Sequence, residues 1–301
     1  MASTKCMDFY GHRGASAEAP ENTLASLRLS RERGAVGAEF DLQLTRDNVL
    51  VLLHDDTLRR TGVPLRRLDD SSSDVGDELF DLPLSQVEWS TVKETVDVGG
   101  SFGEHYRGER LATFSEALEF LGAPSGDDAD ACDGAPREFE FLVEIKRGDI
   151  GSVHVAAQLV ADVAAASPSA IDIGKQLTFI SFSLDVVIAC RAAIPSCRAL
   201  YITKPLYDDE ETPAQFRTRI DAALDAGASG VDLPADPRYV RRAPCRVVAL
   251  GVPVLSSGRR SRQSPSPLSL SAIIVFPSVA DKCSSSLALP AASWDYRTHT
   301  R

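Results

Sequence analysis

From Glu140 to Leu255 the chain alternates short apolar runs with amphipathic stretches, and this alternation constrains its fold more than any other feature. EFLVEIK (140–146), LTFISF (177–182), RALYI (198–202), SGVDL (229–233) and GVPVL (251–255) read as strands. Between them, SVHVAAQLVADVAAA, SLDVVIACRAAI and TPAQFRTRIDAALDAGA read as helices, the last with Pro213 in its first turn and Gly227 at its end. Strands separated by helices predict a parallel sheet covered on both faces. The N-terminal part fits the same scheme. A strand over 7–10 is followed by the helix PENTLASLRLSRERGA, with Asn22 as its expected N-cap and Gly34 as its stop. AEFDLQL (38–44) and VLVLLH (49–54), separated by residues 45–48, predict a hairpin. The sum is about seven strand–helix steps, near the eight of a closed (β/α)8 barrel.

Two regions stand outside the alternation. Residues 55–139 form a long connection with one clear helix, opened by a Thr113–Glu116 capping box, and an acidic loop, PSGDDADACDGAP. It reads as an insertion. Residues 256–301 are Ser-rich, contain SPSP, and are expected to form a mostly disordered tail whose single strand-like piece is SAIIVF (271–276).

With 44% hydrophobic and 25% charged residues, the chain has the composition of a soluble globular protein. A net charge of −11 speaks against nucleic acid or an anionic membrane as the main partner, though a small anion can still bind at a local basic or metal-bearing site. No run approaches the ~20 apolar residues of a membrane span. The first strand begins near Met7, which leaves no space for a signal peptide ahead of it. Six cysteines without a CxxC pattern read as reduced thiols. A cytoplasmic protein is the expectation.

Glu39 and Asp41 lie two apart on one strand, so both carboxylates share a face. A turn at 45–48 would set residue 39 opposite 54 and residue 41 opposite 52, bringing His54 beside Glu39. Glu144 and Lys146 repeat the spacing on a later strand, with Val143 and Ile145 on its other face. Each pair alone also fits a solvated sheet face or a salt bridge at a strand edge. Carboxylates facing apolar strands, however, are costly to bury without a partner. Glu39, Asp41 and Glu144 would form an oxygen-only site suited to Mg²⁺ or Ca²⁺. His12 and Arg13 follow the first strand directly, between Gly11 and Gly14, at the end where parallel barrels carry their active sites. Two histidines can act as acid and base near neutral pH, and Arg13 and Lys146 suit a phosphate. The combination implies a metal-dependent phosphodiester-cleaving site. His105, His154 and His299 read as ordinary surface, helix and tail residues, and Lys204, just after RALYI, is a further candidate for substrate contact.

The motifs GHRG-x(5)-PENT, E-F-D, LLHDDTLRRTG and VEIK, in that order, resemble the glycerophosphodiester phosphodiesterase family; RLATFSEAL and the SF of ISFS are also similar. The resemblance covers about residues 7–255 and implies a TIM-barrel domain with an insertion at about 55–110. It implies hydrolysis of glycerophosphodiesters to an alcohol and glycerol 3-phosphate with a divalent cation. His12 and His54 take the place of the acid/base pair, Glu39, Asp41 and Glu144 that of the metal carboxylates, and Arg13 and Lys146 that of the phosphate contacts. Glu21 and Asn22 of PENT fit a helix cap and a strut for the His12 loop. The chain departs from the family at GVPVLSSGRRSRQSPSP, which stands where a tryptophan-containing strand and a final βα unit are expected, so the last unit is missing or replaced. A lysophospholipase D-type enzyme on the same fold and an inactive truncated barrel are the alternative readings. The oligomeric state is not legible.

Overall fold

The computed structural model describes residues 9–65, 76–123, 138–146, 172–203 and 213–234, the strands at 246–250 and 271–275, and helical positions at 157 and 160–162. Eight strands close into a barrel. Its N-terminal part is β1 (Phe9–His12) and β2 (Gly37–Leu44). A hairpin partner, β3 (Leu50–Leu52), precedes the inserted β4 (Val63–Pro64) and β5 (Val96–Asp97). The remaining strands are β6 (Glu140–Ile145), β7 (Leu177–Ser181), β8 (Arg198–Ile202), β9 (Gly230–Pro234), β10 (Arg246–Leu250) and β11 (Ser271–Val275). Around the barrel the order is β1-β2-β6-β7-β8-β9-β11-β10 and back to β1. All neighbours are parallel except β11, which runs antiparallel to both β9 and β10. On the free edge of β2, β1 takes Gly37–Glu39 and β3 takes Leu42–Leu44.

Strand alternation divides the side chains into two layers. Tyr10, Leu142, Ile180 and Leu200 fill the barrel interior, with Val36 and Ile202 against them. Phe40, Phe141, Val143 and Phe179 point outward, under α1 (Leu24–Glu32), α3 (Phe114–Gly122) and α5 (Leu184–Ala193). Phe40 and Phe141 meet edge to face at 4.9 Å. Of the remaining helices, α2 (Trp89–Thr95) belongs to the insertion, α4 (Ile173–Gln176) leads into β7, and α6 (Pro213–Asp225) leads into β9. The insertion has its own core, with Leu58, Phe80, Leu84, Val87, Val92 and Val96 buried beside Val51 and Leu53 of the hairpin. No helix of the described residues is long and apolar enough to cross a membrane.

Several expected features are found as read. Thr113 and Glu116 form the capping box, and Gly34 and Gly227 close their helices at φ 77° and 103°; Cys190 and Cys197 are buried. Two expectations are corrected. Thr23, not Asn22, caps α1: its hydroxyl accepts from Ser26 N. The hairpin pairs Leu42 with Leu52 and Leu44 with Leu50, one residue away from the expected register. The cause is the turn. Thr45 N donates to Val49 O at 3.0 Å and Asn48 takes φ 62°, so three residues rather than four make the loop. A strand is found at Arg246–Leu250, and the expected strand GVPVL lies outside the described residues. Ser271–Val275, within the strand-like piece SAIIVF, stands in the place of the replaced last strand, pairing with both β9 and β10. The remainder of 256–301 lies outside the described residues. Most of the expected helix at 152–166, and Lys204, His154 and His299, lie outside the described residues.

A strand with partners on both edges has no position at which a missing N–H is free of consequence. Ile273→Pro is therefore expected to lower the melting temperature and to speed amide exchange at Val231 and Asp232 of β9. Parental protection of those amides in the variant would show that β11 does not close the sheet.

Candidate active site

The site is built where β1 ends. Arg13 and Gly14 adopt positive φ values of 55° and 77°, turning the chain sharply after His12. The turn aims the Arg13 amide at Glu39 Oε2, 2.8 Å away. Only glycine fits at 14, since a Cβ there would lie 2.4 Å from Ser26 Oγ. Ser26 Oγ also donates to Arg13 O at 3.0 Å, tying the turn to α1. Asn22 is the second non-glycine residue held left-handed, at φ 58°. That conformation points its amide at Asp41: Nδ2 donates to Asp41 Oδ2 at 2.9 Å and Oδ1 accepts from Asp41 N at 3.1 Å. Unusual backbone of this kind is retained where the surroundings enforce it.

Glu39, Asp41 and Glu144 converge inside the mouth of the barrel. Each offers a carboxylate oxygen, and these oxygens all lie within 4.8 Å of one another. The pairing of β2 with β6 sets Asp41 beside Glu144. Lys146 Nζ sits between them, 2.7 Å from Asp41 Oδ1 and 2.6 Å from Glu144 Oε1. Arg13 Nε approaches Asp41 Oδ2 to 3.3 Å without the alignment of a hydrogen bond, and its Nη1 donates to Glu21 Oε1 at 2.9 Å. Burial works to raise the Asp41 pKa, but Lys146, then Arg13 and Asn22, outweigh it and hold Asp41 below its ordinary range. Glu39 is pushed well up, by burial first and then by the charges of Asp41 and Glu144. Burial also raises Glu144, against the pull of Lys146. For Lys146 itself burial is outweighed by the two carboxylates, and the ammonium is held more firmly than usual. An ammonium already bridges two of the three acids, and the third, 2% exposed, has no cationic side chain of comparable closeness among the described residues. The donor set therefore fits a hard divalent cation.

Both expected imidazoles lie at this mouth. His12 Nε2 is 3.9 Å from Glu39 Oε2. Burial, then the adjacent Arg13, push His12 down to about 4, although half of its side-chain surface still meets solvent and its screening. The shifted hairpin register does not set His54 opposite Glu39; its charge bears on Glu144 and His12. His54 Nδ1 lies 2.6 Å from Asp55 Oδ1. Arg60 first, then His54, hold Asp55 down at about 2, so at neutral pH this carboxylate only accepts and the proton of that bond belongs to Nδ1. Gln43 Nε2 donates to the His54 carbonyl at 3.0 Å, fixing the backbone beneath the ring. His105 is remote in character: it packs on Tyr106, with ring centroids 4.1 Å apart, in the exposed part of the insertion.

One acid at the mouth escapes a reading of the sequence. Asp232 pairs with Ile202 across β8 and β9 and shares its inward face, is 3% exposed, and has an Oδ1 with no hydrogen-bond partner among the described residues. Burial, then the charge of Glu144, push its carboxyl up to about 8. The available signal was a lone acid inside the apolar alternation of SGVDL.

The model of the glycerophosphoryl diester phosphodiesterase family matches residues 12–249. A glycerophosphodiester phosphodiesterase of Caldanaerobacter subterraneus is 37% identical over 139 residues, which make up 46% of this chain and 44% of that protein. Glycerophosphodiester phosphodiesterase 1 of Mus musculus is 36% identical over 107 residues, 36% of this chain and 28% of that protein. The chain thus matches less than half the length of either relative. Among solved structures, an Oleispira antarctica phosphodiesterase in complex with the product sn-glycerol-3-phosphate superposes with a TM-score of 0.54 at 23% identity, covering 74% of this chain and 73% of that one. The likeness shows the same barrel fold.

The position of Asp232 gives a stability test. In the unfolded chain its carboxyl ionises near 4, about the model-peptide value. In the folded protein it keeps its proton to about 8. Across that window the unfolded chain holds fewer protons, so rising pH weakens the folded state. Asp232→Asn removes this penalty. In metal-free protein, urea unfolding should show the variant gaining on the parent as pH rises from 5 to 7.5, by up to about 1.4 kcal/mol per pH unit. A difference that does not change with pH would show that Asp232 is not buried as an acid.

Proposed function

Because the chain belongs to the glycerophosphoryl diester phosphodiesterase family, we propose that it hydrolyses glycerophosphodiesters to an alcohol and glycerol 3-phosphate at the mouth of this barrel, with a divalent cation. The observation that carries the reading is the meeting of Glu39, Asp41 and Glu144 within 4.8 Å beside two imidazoles. Glycerol 3-phosphate in the Oleispira relative supports the class of product. Mg²⁺ or Ca²⁺ held by the three carboxylates would neutralise charge on the phosphoryl oxygens.

The chain's own groups supply the remaining chemistry. The Arg13 guanidinium and the Lys146 ammonium stand at the mouth as donors for the non-bridging phosphate oxygens. His12, neutral at pH 7, accepts the proton of the attacking hydroxyl, either water or the neighbouring glycerol hydroxyl. His54 keeps its Nδ1 proton on Asp55, which leaves Nε2 to carry a proton to the departing alcohol oxygen, and the Asp55 carboxylate balances the charge of the protonated ring.

Hydrolysis of glycerophosphocholine with added Mg²⁺ or Ca²⁺ tests the reading directly. His12→Ala and His54→Ala should each lose about 10²- to 10⁴-fold in kcat with unchanged melting; near-parental turnover in either variant would refute the assignment. Cation binding to the folded protein should raise its melting temperature. Glu39→Gln and Glu144→Gln should abolish that rise, and a rise that persists in both variants would place the cation elsewhere.

A further inference from the structure

The loop after His54 carries two adjacent arginines in nearly equal surroundings. Arg59, 42% exposed, donates from Nε to Asp81 Oδ1 at 2.6 Å and from Nη1 to Asp77 Oδ1 at 2.8 Å. Arg60, 46% exposed, donates from Nε to Asp55 Oδ2 at 2.6 Å. Its Nη1 and Nη2 grip Glu21 end-on, at 2.7 Å to Oε2 and 2.7 Å to Oε1. Arg59 faces the surface of the insertion. Arg60 faces two residues that each touch a group of the proposed chemistry: Asp55 holds His54 Nδ1, and Glu21 holds Arg13 Nη1.

We propose that Arg60 is a positioning residue for the hydrolysis, its one guanidinium locking the His54–Asp55 pair to the loop that carries Arg13, so that imidazole and arginine keep a fixed spacing. The inference rests on the reading of His54 and Arg13 given above. Three consequences of the geometry support it. Both Asp55 oxygens are engaged, one by His54 and the other by Arg60, so the carboxylate cannot rotate away from the ring. Glu21 is engaged by both arginines, so the loop between β1 and α1 cannot drift from the loop after β3. Leu58, wholly buried in the insertion core two residues earlier, fixes the backbone from which Arg60 reaches. The fork of a guanidinium can bind one carboxylate end-on through Nη1 and Nη2 while its Nε serves a second, which an ammonium cannot do. Half-exposed ion pairs contribute little to stability, so the effect of Arg60 falls on orientation, where small misplacements cost much rate.

In the full chain with Mg²⁺ or Ca²⁺ supplied, Arg60→Gln and Arg59→Gln are to be compared with the parent. The readouts are glycerophosphocholine hydrolysis, thermal melting and long-range ¹H–¹⁵N correlation spectra of ¹⁵N-histidine-labelled protein. Arg60→Gln is expected to lower kcat about 10- to 100-fold with KM little changed and melting close to the parent. The His54 ring should lose its single Nδ1–H tautomer pattern. Arg59→Gln, which removes as many ion pairs, should leave kcat and that pattern intact. Arg60→Lys should resemble the Gln variant more than the parent. Parental kcat in Arg60→Gln, a parental His54 spectrum in that variant, or an equal loss of rate in Arg59→Gln would each overturn the proposal. Failure of the parent to hydrolyse the substrate under any cation would sink the proposed function instead, and the spectrum would still decide the role of Arg60.

Discussion

Three carboxylates buried at one end of a barrel cannot stay ionised without compensation, and much of the local structure answers that demand. Removing such groups from water costs several kcal/mol each even after relaxation. Asp41 is compensated most completely, by Lys146, Arg13 and the Nδ2 of Asn22. Glu39 receives the Arg13 amide, which requires the left-handed turn after β1. Gly14, Ser26 and the first turn of α1 are shaped around that turn. The compensation is incomplete at Glu39 and absent at Asp232, and these two acids are pushed furthest towards the protonated form. A mouth with this residual deficit of positive charge fits a cation.

Much of this was legible because strand geometry has a period of two. Glu39 with Asp41, and Glu144 with Lys146, share a face whatever the register of their neighbours, so their convergence needed only the parallel order of β2 and β6. The Thr113–Glu116 box was legible because both partners lie within one turn. What failed depended on single backbone conformations. Asn48 at φ 62° shortens the hairpin loop and moves every cross-strand pair by one, so residue 54 is no longer in register with residue 39. Asn22 has the chemistry of an N-cap, and only its left-handed backbone shows that its amide serves Asp41 instead. Asp232 has no sequence neighbour to mark it; its meaning comes from strands that meet it across the barrel.

The insertion is more than an appendage to the sheet. Its apolar cluster includes Val51 and Leu53, which flank Leu52 of β3 and stand on the other face from the barrel packing of Leu52. The hairpin is therefore gripped from both sides, and the loop that follows it inherits that rigidity. Leu53 N donates to Asp41 O at 3.0 Å, so the backbone next to His54 is fastened to the strand that bears the acids. The ion pairs of Asp55, Arg60 and Glu21 then extend a rigid frame into solvent-facing territory, where side chains alone would wander.

The reversed polarity of β11 separates the two ends of the barrel in a way a repeated βα unit would not. Ser271 is level with Leu250 and Pro234, at the rim that holds the acids, whereas Val275 is level with Arg246 and Gly230, at the opposite rim. The strand that closes the sheet therefore runs from the acidic rim towards the opposite pole, so its two ends bear on different faces of the barrel.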